Sequence, residues 1–332
     1  MADLNNNVFT LNTYTAVVRD GTVGIAGWNS LWIGGGSGTV LGSRVDRIGI
    51  SIDTATAMVR GPLSRDTAAH AGHGNTTDAW FGGGYNPSGN STRVDRLIFL
   101  ADLDTAVTKG PLSFVRYSLG AHGNTTDAWF GGGYSGPAPG FRSIVDRIIF
   151  ASDSATAAAK GPLAIARYGN AAHGNTTDAW FGNGRANPST YLSSVDRVIF
   201  ASDSATAVTK GPLSSNRYLL AAHGNTTDAW YVAGYDPTYN IPTTTVDRII
   251  FASDTATAVV KGGLTISAYN RAGGGTTTDA WYAGGYQAAN VWPEPFMGVR
   301  RSTVDRIIFA SDTAAAVAKG PLSGARYNAR AN

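Results

Sequence analysis

Hydrophobic residues in this chain fall into short runs of four to eight positions, cut by Gly, Asp, Ser, Thr and Pro, and no segment sustains a 3.6-residue apolar period. That spacing predicts short antiparallel strands with helices nearly absent. One stretch shows the pattern. Residues 118–123 are a run of small residues, and 126–130 a second run that ends in Gly131-Gly132-Gly133. After a variable segment come 145–151, then Ser152-Asp153-Ser154, short enough for a tight hairpin, and 155–160 before Gly161-Pro162. Trp129 and Phe130 are adjacent, so the second strand is apolar on both faces and needs a cover on each. Pro162 falls just past the fourth strand, where an outer edge tolerates a missing N–H.

The pattern repeats. A Trp in Asp-Ala-Trp-Phe or a close variant recurs at Trp32, Trp80, Trp129, Trp180, Trp230 and Trp281. A Val-Asp-Arg element recurs with Asp46, Asp95, Asp146, Asp196, Asp247 and Asp305. Steps run from 48 to 51 residues, except one of 58 between Asp247 and Asp305. Six units of about 50 residues with four strands each predict an all-β, six-bladed β-propeller, four short antiparallel strands per blade. A solenoid would need polar caps at both ends, and neither terminus shows one. The Thr-Ala-Val element of the fourth strand also appears a seventh time, at Thr15-Ala16-Val17-Val18-Arg19. The expected organisation is therefore an N-terminal arm and seam-closing strand over 1–20 and the propeller over 21–332. In one version 15–19 pairs across the ring seam; in the other, 1–14 docks on another subunit.

Composition narrows the function classes. Gly is abundant at 42, Glu occurs once (Glu294) and Lys five times, which suits turns more than helices. Net charge is only +3, with no basic run, so no nucleic acid is implied. Without Cys there is neither a disulfide framework nor a thiolate metal site. The opening MADLNNNVFTLNTY has no basic or apolar segment of a signal peptide, and no apolar stretch approaches ~20 residues, so no membrane insertion is expected.

The chemistry-bearing residues recur in most units, which favours scaffold roles. Alternation puts Asp95 and Arg96 on opposite faces of a blade, and likewise Asp146 and Arg147, Asp196 and Arg197, and Asp247 and Arg248. These eight are expected to form interblade ion pairs, with Asp78 or Asp127 as a further partner. His73, His122, His173 and His223 share one place in His-Gly-Asn, taken by Gly274 in the sixth unit and by Ile25 in the first. Backbone hydrogen bonding is expected of them, and no metal. The Asp of the Ser-Asp-Ser hairpin is one carboxylate where calcium wants several oxygens, so turn capping is expected. The Gly-rich segments lack the Lys-Ser/Thr ending of a phosphate loop, and no Gly-x-Ser-x-Gly elbow is present. No catalytic residue and no cofactor is assigned.

Divergence between units concentrates in the segments 37–44, 86–93, 135–144, 185–194, 236–245 and 287–303, all expected on one rim. They are rich in Tyr, Asn, Pro, Ser and Gly, a composition of adaptable binding surfaces. Candidate residues for binding a partner or glycan are Trp292, Phe296, Arg300 and Arg301 of the longest segment, with Tyr239 and Tyr191.

The unit resembles a kelch repeat in its aromatic pair before a double Gly, its strand ending in Asp, and its closing Arg-Tyr. It departs from kelch in lacking the fourth-strand Trp and in placing Tyr directly after the glycines, as at Gly84-Tyr85. Galactose-oxidase-type chemistry on that scaffold needs a Cys crosslinked to Tyr, which this chain lacks. The run Val-Asp-Arg-Ile-Ile-Phe-Ala-Ser-Asp, continuing to Lys-Gly-Pro-Leu-Ser, Arg-Tyr and His-Gly-Asn, is similar to repeats in virion proteins of tailed bacteriophages, notably cyanophages. That resemblance covers residues 24–327 and implies a non-enzymatic structural or adhesion protein of tail, fibre, baseplate or capsid decoration. It implies a location in the virion within a larger symmetric assembly, with other virion proteins and host surface carbohydrate as partners. The alternative reading is a carbohydrate-active enzyme or lectin on a propeller.

Overall fold

A computed structural model describes residues 30–38, 42–136, 140–287 and 298–331 of the 332-residue chain. Six four-stranded antiparallel sheets stand around one axis as the blades of a propeller. In the third blade the order from axis to edge is Gly120–Gly123, Asp127–Gly131, Val145–Ile149 and Ala158–Lys160. The other blades repeat this order, and the innermost strands touch one another in cyclic sequence. No α-helix occurs among the described residues, and none there is long and apolar enough to cross a membrane.

The strands end earlier than the apolar runs do. The third strand stops at Ile149, and Phe150–Ser152 forms a single 3-10 turn, repeated in all six blades. The outermost strand shrinks to Ala158–Lys160. Packing explains the turn, because it lays the Phe150 ring flat on Trp80 of the preceding blade, with centroids 3.7 Å apart and planes 4° from parallel. The same stack joins Trp129 to Phe200, Trp180 to Phe251 and Trp230 to Phe309.

The core is a ring of six junctions. One apolar cluster joins Trp80, Val94 and Leu112 to Ala128, Phe130, Ile148 and Phe150 of the next blade. Trp129 and Phe130 thus look in opposite directions, each covered by a neighbour, as a doubly apolar strand demands. Burying each such ring contributes roughly 1.5–3 kcal/mol. Glycine makes the approach possible: a Cβ on Gly82 would lie 2.9 Å from the Phe130 ring, and one on Gly110 would collide with the Ala155 carbonyl of the next blade.

The seam is closed by the C-terminal strand. Arg330–Ala331 takes the innermost place of the first blade, antiparallel to Ile33 and Gly34. Every Gly-Pro-Leu link leads into an innermost strand, and the link beginning at Gly320 leads into this one. The place assigned to Ile25 from the sequence therefore belongs to the C-terminal strand. Ile25, the seventh Thr-Ala-Val copy at 15–19 and the proposed arm over 1–14 lie outside the described residues.

Candidate functional site

Two faces of the ring differ in what they carry. On the face called upper here, the end of each second strand meets the link entering that blade: Tyr134 N–H donates to Tyr117 O at 2.9 Å, and Tyr117 N–H to Tyr134 O at 3.0 Å. The lower face holds the two hairpins of each blade, tied where Phe150 N–H donates to Thr126 O at 2.9 Å.

The repeated charges are engaged in the scaffold. Arg96 Nε donates to Asp78 in its own blade at 2.8 Å, while Nη1 lies 3.6 Å from Asp153 of the next. Arg147 treats Asp127 and Asp203 alike, Arg197 treats Asp178 and Asp254, and Arg248 treats Asp228 and Asp312. The Val-Asp-Arg aspartates turn to the opposite side. Asp146, fully buried, holds Arg116 at 3.1 Å and accepts Ser113 N–H at 2.9 Å, so it pins the incoming link. Asp196 holds Arg167 at 2.8 Å, and Asp247 holds Arg217. Burial lowers the pKa of Arg116 and Arg167, and the facing carboxylates oppose that shift. Two blades reach the same pairing from other positions. Where Thr67 replaces the link Arg, Arg93 meets Asp95 at 3.0 Å. Where Ala268 replaces it, Arg271 meets Asp305 at 2.7 Å.

The hairpin aspartates were expected to cap turns, and their side chains do something else. Buried Asp153 accepts Trp80 Nε1 at 2.8 Å and holds Lys109 at 3.1 Å, both from the preceding blade. Asp203, Asp254, Asp312 and Asp53 repeat this clamp around the ring. The turn itself closes through backbone, Ala155 N–H to Ser152 O. Recurrence of Asp one residue past the 3-10 turn, always with a Lys or Arg ending the outer strand, was the available signal.

At the lower mouth, His73, His122 and His173 place Nε2 3.3–3.4 Å from the carbonyls of Asn124, Asn175 and Asn225 in the next blade, and His223 does so with Thr276. Neighbouring imidazoles stand about 5 Å apart. Burial pushes His73 and His223 down to about 4. Among the described residues no three His, Asp or Glu side chains group so as to hold a metal ion.

The upper mouth is aromatic. Tyr85, Tyr117, Tyr134, Tyr168, Tyr218, Tyr235, Tyr269, Tyr286 and Tyr327 form a belt of half-buried rings, successive centroids 5.2–6.3 Å apart. Edge-to-face geometry fixes several of them, with Tyr117 and Tyr168 at 82°. Burial raises the pKa of Tyr85, Tyr117 and Tyr168, so these phenols stay protonated as donors.

Beneath the belt lies a throat that no composition signal announced. Ser118 N–H donates to Ala69 O at 2.6 Å, Gly169 to Ser118 at 2.8 Å, Leu219 to Gly169 at 2.6 Å, Asn270 to Leu219 at 2.8 Å, Asn328 to Asn270 at 3.0 Å, and Ala69 to Asn328 at 2.9 Å. The six bonds close a circle, one residue per blade, and all six residues have left-handed φ between 51° and 69°. A depression of about 340 Å³ opens above, lined by Tyr85, Tyr117, Tyr168, Asn90, Ser118, Ala69, Asn270 and Asn328.

The divergent segments surround this mouth, Asn90 of one of them lining the depression, and several are two-stranded extensions and not open loops. Tyr85–Asn86 pairs with Gly89–Asn90, and Asp178–Asn187 runs on against Thr190–Ile199. Tyr191 packs 5.3 Å from Tyr218, beneath Arg185. Tyr239 sits at a hairpin tip, 74% exposed. Arg300 is exposed near the Tyr327 ring, and Arg301 donates to Gln287. Tyr191, Tyr239 and the adjacent pair Arg300 and Arg301 belong to three successive blades. Trp292 and Phe296 lie outside the described residues.

The sequence matches no protein-family profile and no curated protein. Among solved structures it is similar to that of YjhT, with a TM-score of 0.65 over 80% of this chain and 86% of that one, at 10% identity. At that identity the likeness establishes the propeller fold alone.

Proposed function

We propose that this chain is a non-enzymatic recognition module whose upper face docks on a partner subunit or a surface glycan. The observation that carries this reading is the division of labour between repeated and unlike residues. The recurrent carboxylates and cations hold each blade together and join it to the next, while the upper face carries the recurrent tyrosine belt and, among unlike residues, Asn90, Tyr191, Tyr239 and exposed Arg300. General acid–base work needs a titratable pair at a cleft, and the described residues lining the upper depression include no carboxylate and no histidine. Tyr and Arg at a rim supply rigid contact area and adaptable hydrogen bonds.

The setting we propose is the virion of a tailed bacteriophage, on the repeat resemblance, as tail, fibre, baseplate or decoration component. Mass spectrometry of purified particles tests it, combined with removal of 288–297 and substitution Tyr239→Ser. The expected result is the chain in particles at fixed stoichiometry and lost attachment of the variant. Absence from particles would sink the setting. Turnover of a glycoside by the purified chain would sink the non-enzymatic role.

A further inference from the structure

We infer that the axial cavity between the throat and the histidine mouth binds one small monovalent anion, of the chloride or nitrate class, beside the guanidinium of Arg330. The inference concerns the channel inside the ring and stands apart from the recognition role above.

The place of Arg330 in the repeat comes first. It pairs with Gly34 at the level where the other innermost strands have Ala71, Gly120, Ala171, Ala221 and Ala272. One arginine thus replaces a small residue in a ring of six. At this level, after the throat residue and before the histidine of each strand, residues of all six blades line a cavity of about 50 Å³, Arg330 among them.

The second observation is a charge without its opposite. The buried arginines Arg116, Arg167, Arg217, Arg271 and Arg326 each face an aspartate. Arg330 donates Nη1 to Ala329 O at 2.9 Å and meets no carboxylate among the described residues. Burial pushes it down to about 10, which leaves it charged at neutral pH. Tyr168 could offset that charge as a phenolate, but burial keeps its phenol protonated. A buried cation left uncompensated is unfavourable, and an anion beside it removes the penalty.

Size and wall chemistry select the class. A water needs about 10–15 Å³ of such space, so the cavity admits an ion of chloride or nitrate size and excludes a sugar or a phosphate ester. Its described lining residues include no carboxylate to repel an anion, and Arg271, which shares the wall, is already neutralised by Asp305. The innermost strands turn a sheet edge to the axis, which leaves peptide N–H groups free of the ladder as further donors. Entry runs from below, where Gly72, Ala121, Ala172, Ala222, Gly273 and Ala331 also border the hollow of about 300 Å³ at the histidine mouth. His73 and His223, held at about 4, are uncharged at neutral pH and do not compete with Arg330 for the ion.

Chloride NMR line broadening on the full chain, with nitrate as competitor, tests the inference. Thermal midpoints at constant ionic strength, in chloride and in gluconate, which is too large for the cavity, give a second readout. The wild-type chain is expected to broaden the chloride line, and nitrate to reverse it. At an affinity near 1 mM, about 150 mM chloride lowers the unfolding constant roughly a hundredfold and raises the midpoint by about 5 °C over gluconate. Arg330→Ala, which restores the residue of three other blades, is expected to lose both responses and to be at least as stable as wild type in gluconate. Equal broadening by wild type and variant, or equal midpoints of wild type in the two salts, would overturn the site. A variant destabilised alike in both salts would overturn it too, because Arg330 would then act through the fold alone.

Discussion

Replacing Asp153 by Ala tests how the ring is held together. The carboxylate faces three donors of the preceding blade: Trp80 Nε1 at 2.8 Å, Lys109 Nζ at 3.1 Å and Arg96 Nη1 at 3.6 Å. Losing the acceptor leaves a buried indole N–H unmet, at about 1–3 kcal/mol. Both cations keep 21–28% exposure, so water softens their loss, and the contribution falls well below the 3–5 kcal/mol of a sealed pair. The expected total is about 3 kcal/mol, which for a chain of this size lowers the thermal midpoint by roughly 5 °C. Asp153→Asn keeps an acceptor for Trp80 and is expected to cost about half as much. Urea unfolding followed by tryptophan fluorescence gives both values, and a cycle with Trp80→Phe isolates the shared bond. A cost under about 0.5 kcal/mol for Asp153→Ala, or additivity in that cycle, would refute the clamp.

Asp196→Ala strands fully buried Arg167 and is expected to destabilise by about 3–5 kcal/mol in the same assay. Ala69→Gly relieves a left-handed residue in the throat (φ 53°) and is expected to stabilise by about 0.5–1 kcal/mol; a loss of that size would contradict the strain. Burial holds His73 and His223 at about 4, whereas the unfolded chain protonates near 6.5, so stability is full above about pH 6.5, falls as pH drops, and levels off near 4. Unfolding free energies from urea titrations across that window are expected to decline by about a few kcal/mol in all, and a flat profile would exclude the effect. The junction between the first two blades is expected to exchange amide hydrogens fastest, because Trp32 Nε1 meets no acceptor among the described residues and the Trp32–Phe99 stack opens to 5.1 Å.

The architecture was legible because six copies of one pattern name the fold, and adjacent Trp129 and Phe130 already require a neighbour on each side. Limits appear where a residue's role depends on the next blade. Asp153 reads as a turn residue, and only the juxtaposition with Trp80, 73 positions away, reveals a clamp. Phe150 reads as strand, but stacking on Trp80 turns it into a 3-10 bend. The throat was hidden for the opposite reason: Ala69, Ser118, Gly169, Leu219, Asn270 and Asn328 share a conformation and a hydrogen-bond role that belong to the backbone, so side-chain identity carries no trace of them. The tyrosine belt was half legible. Tyr after the glycines and Tyr after the link Arg were both visible, but their meeting at one mouth depends on the pairing of Tyr117 with Tyr134.

Hydroxyl-radical footprinting of the chain, free and in its assembled particle, addresses the docking face most directly. Protection is expected at Tyr191, Tyr239, Arg300 and the tyrosine belt, with the lower hairpins around Asn124 and Asn175 equally reactive in both states. Protection of those hairpins or of the outer strands, with Tyr239 as reactive as in the free chain, would contradict the account.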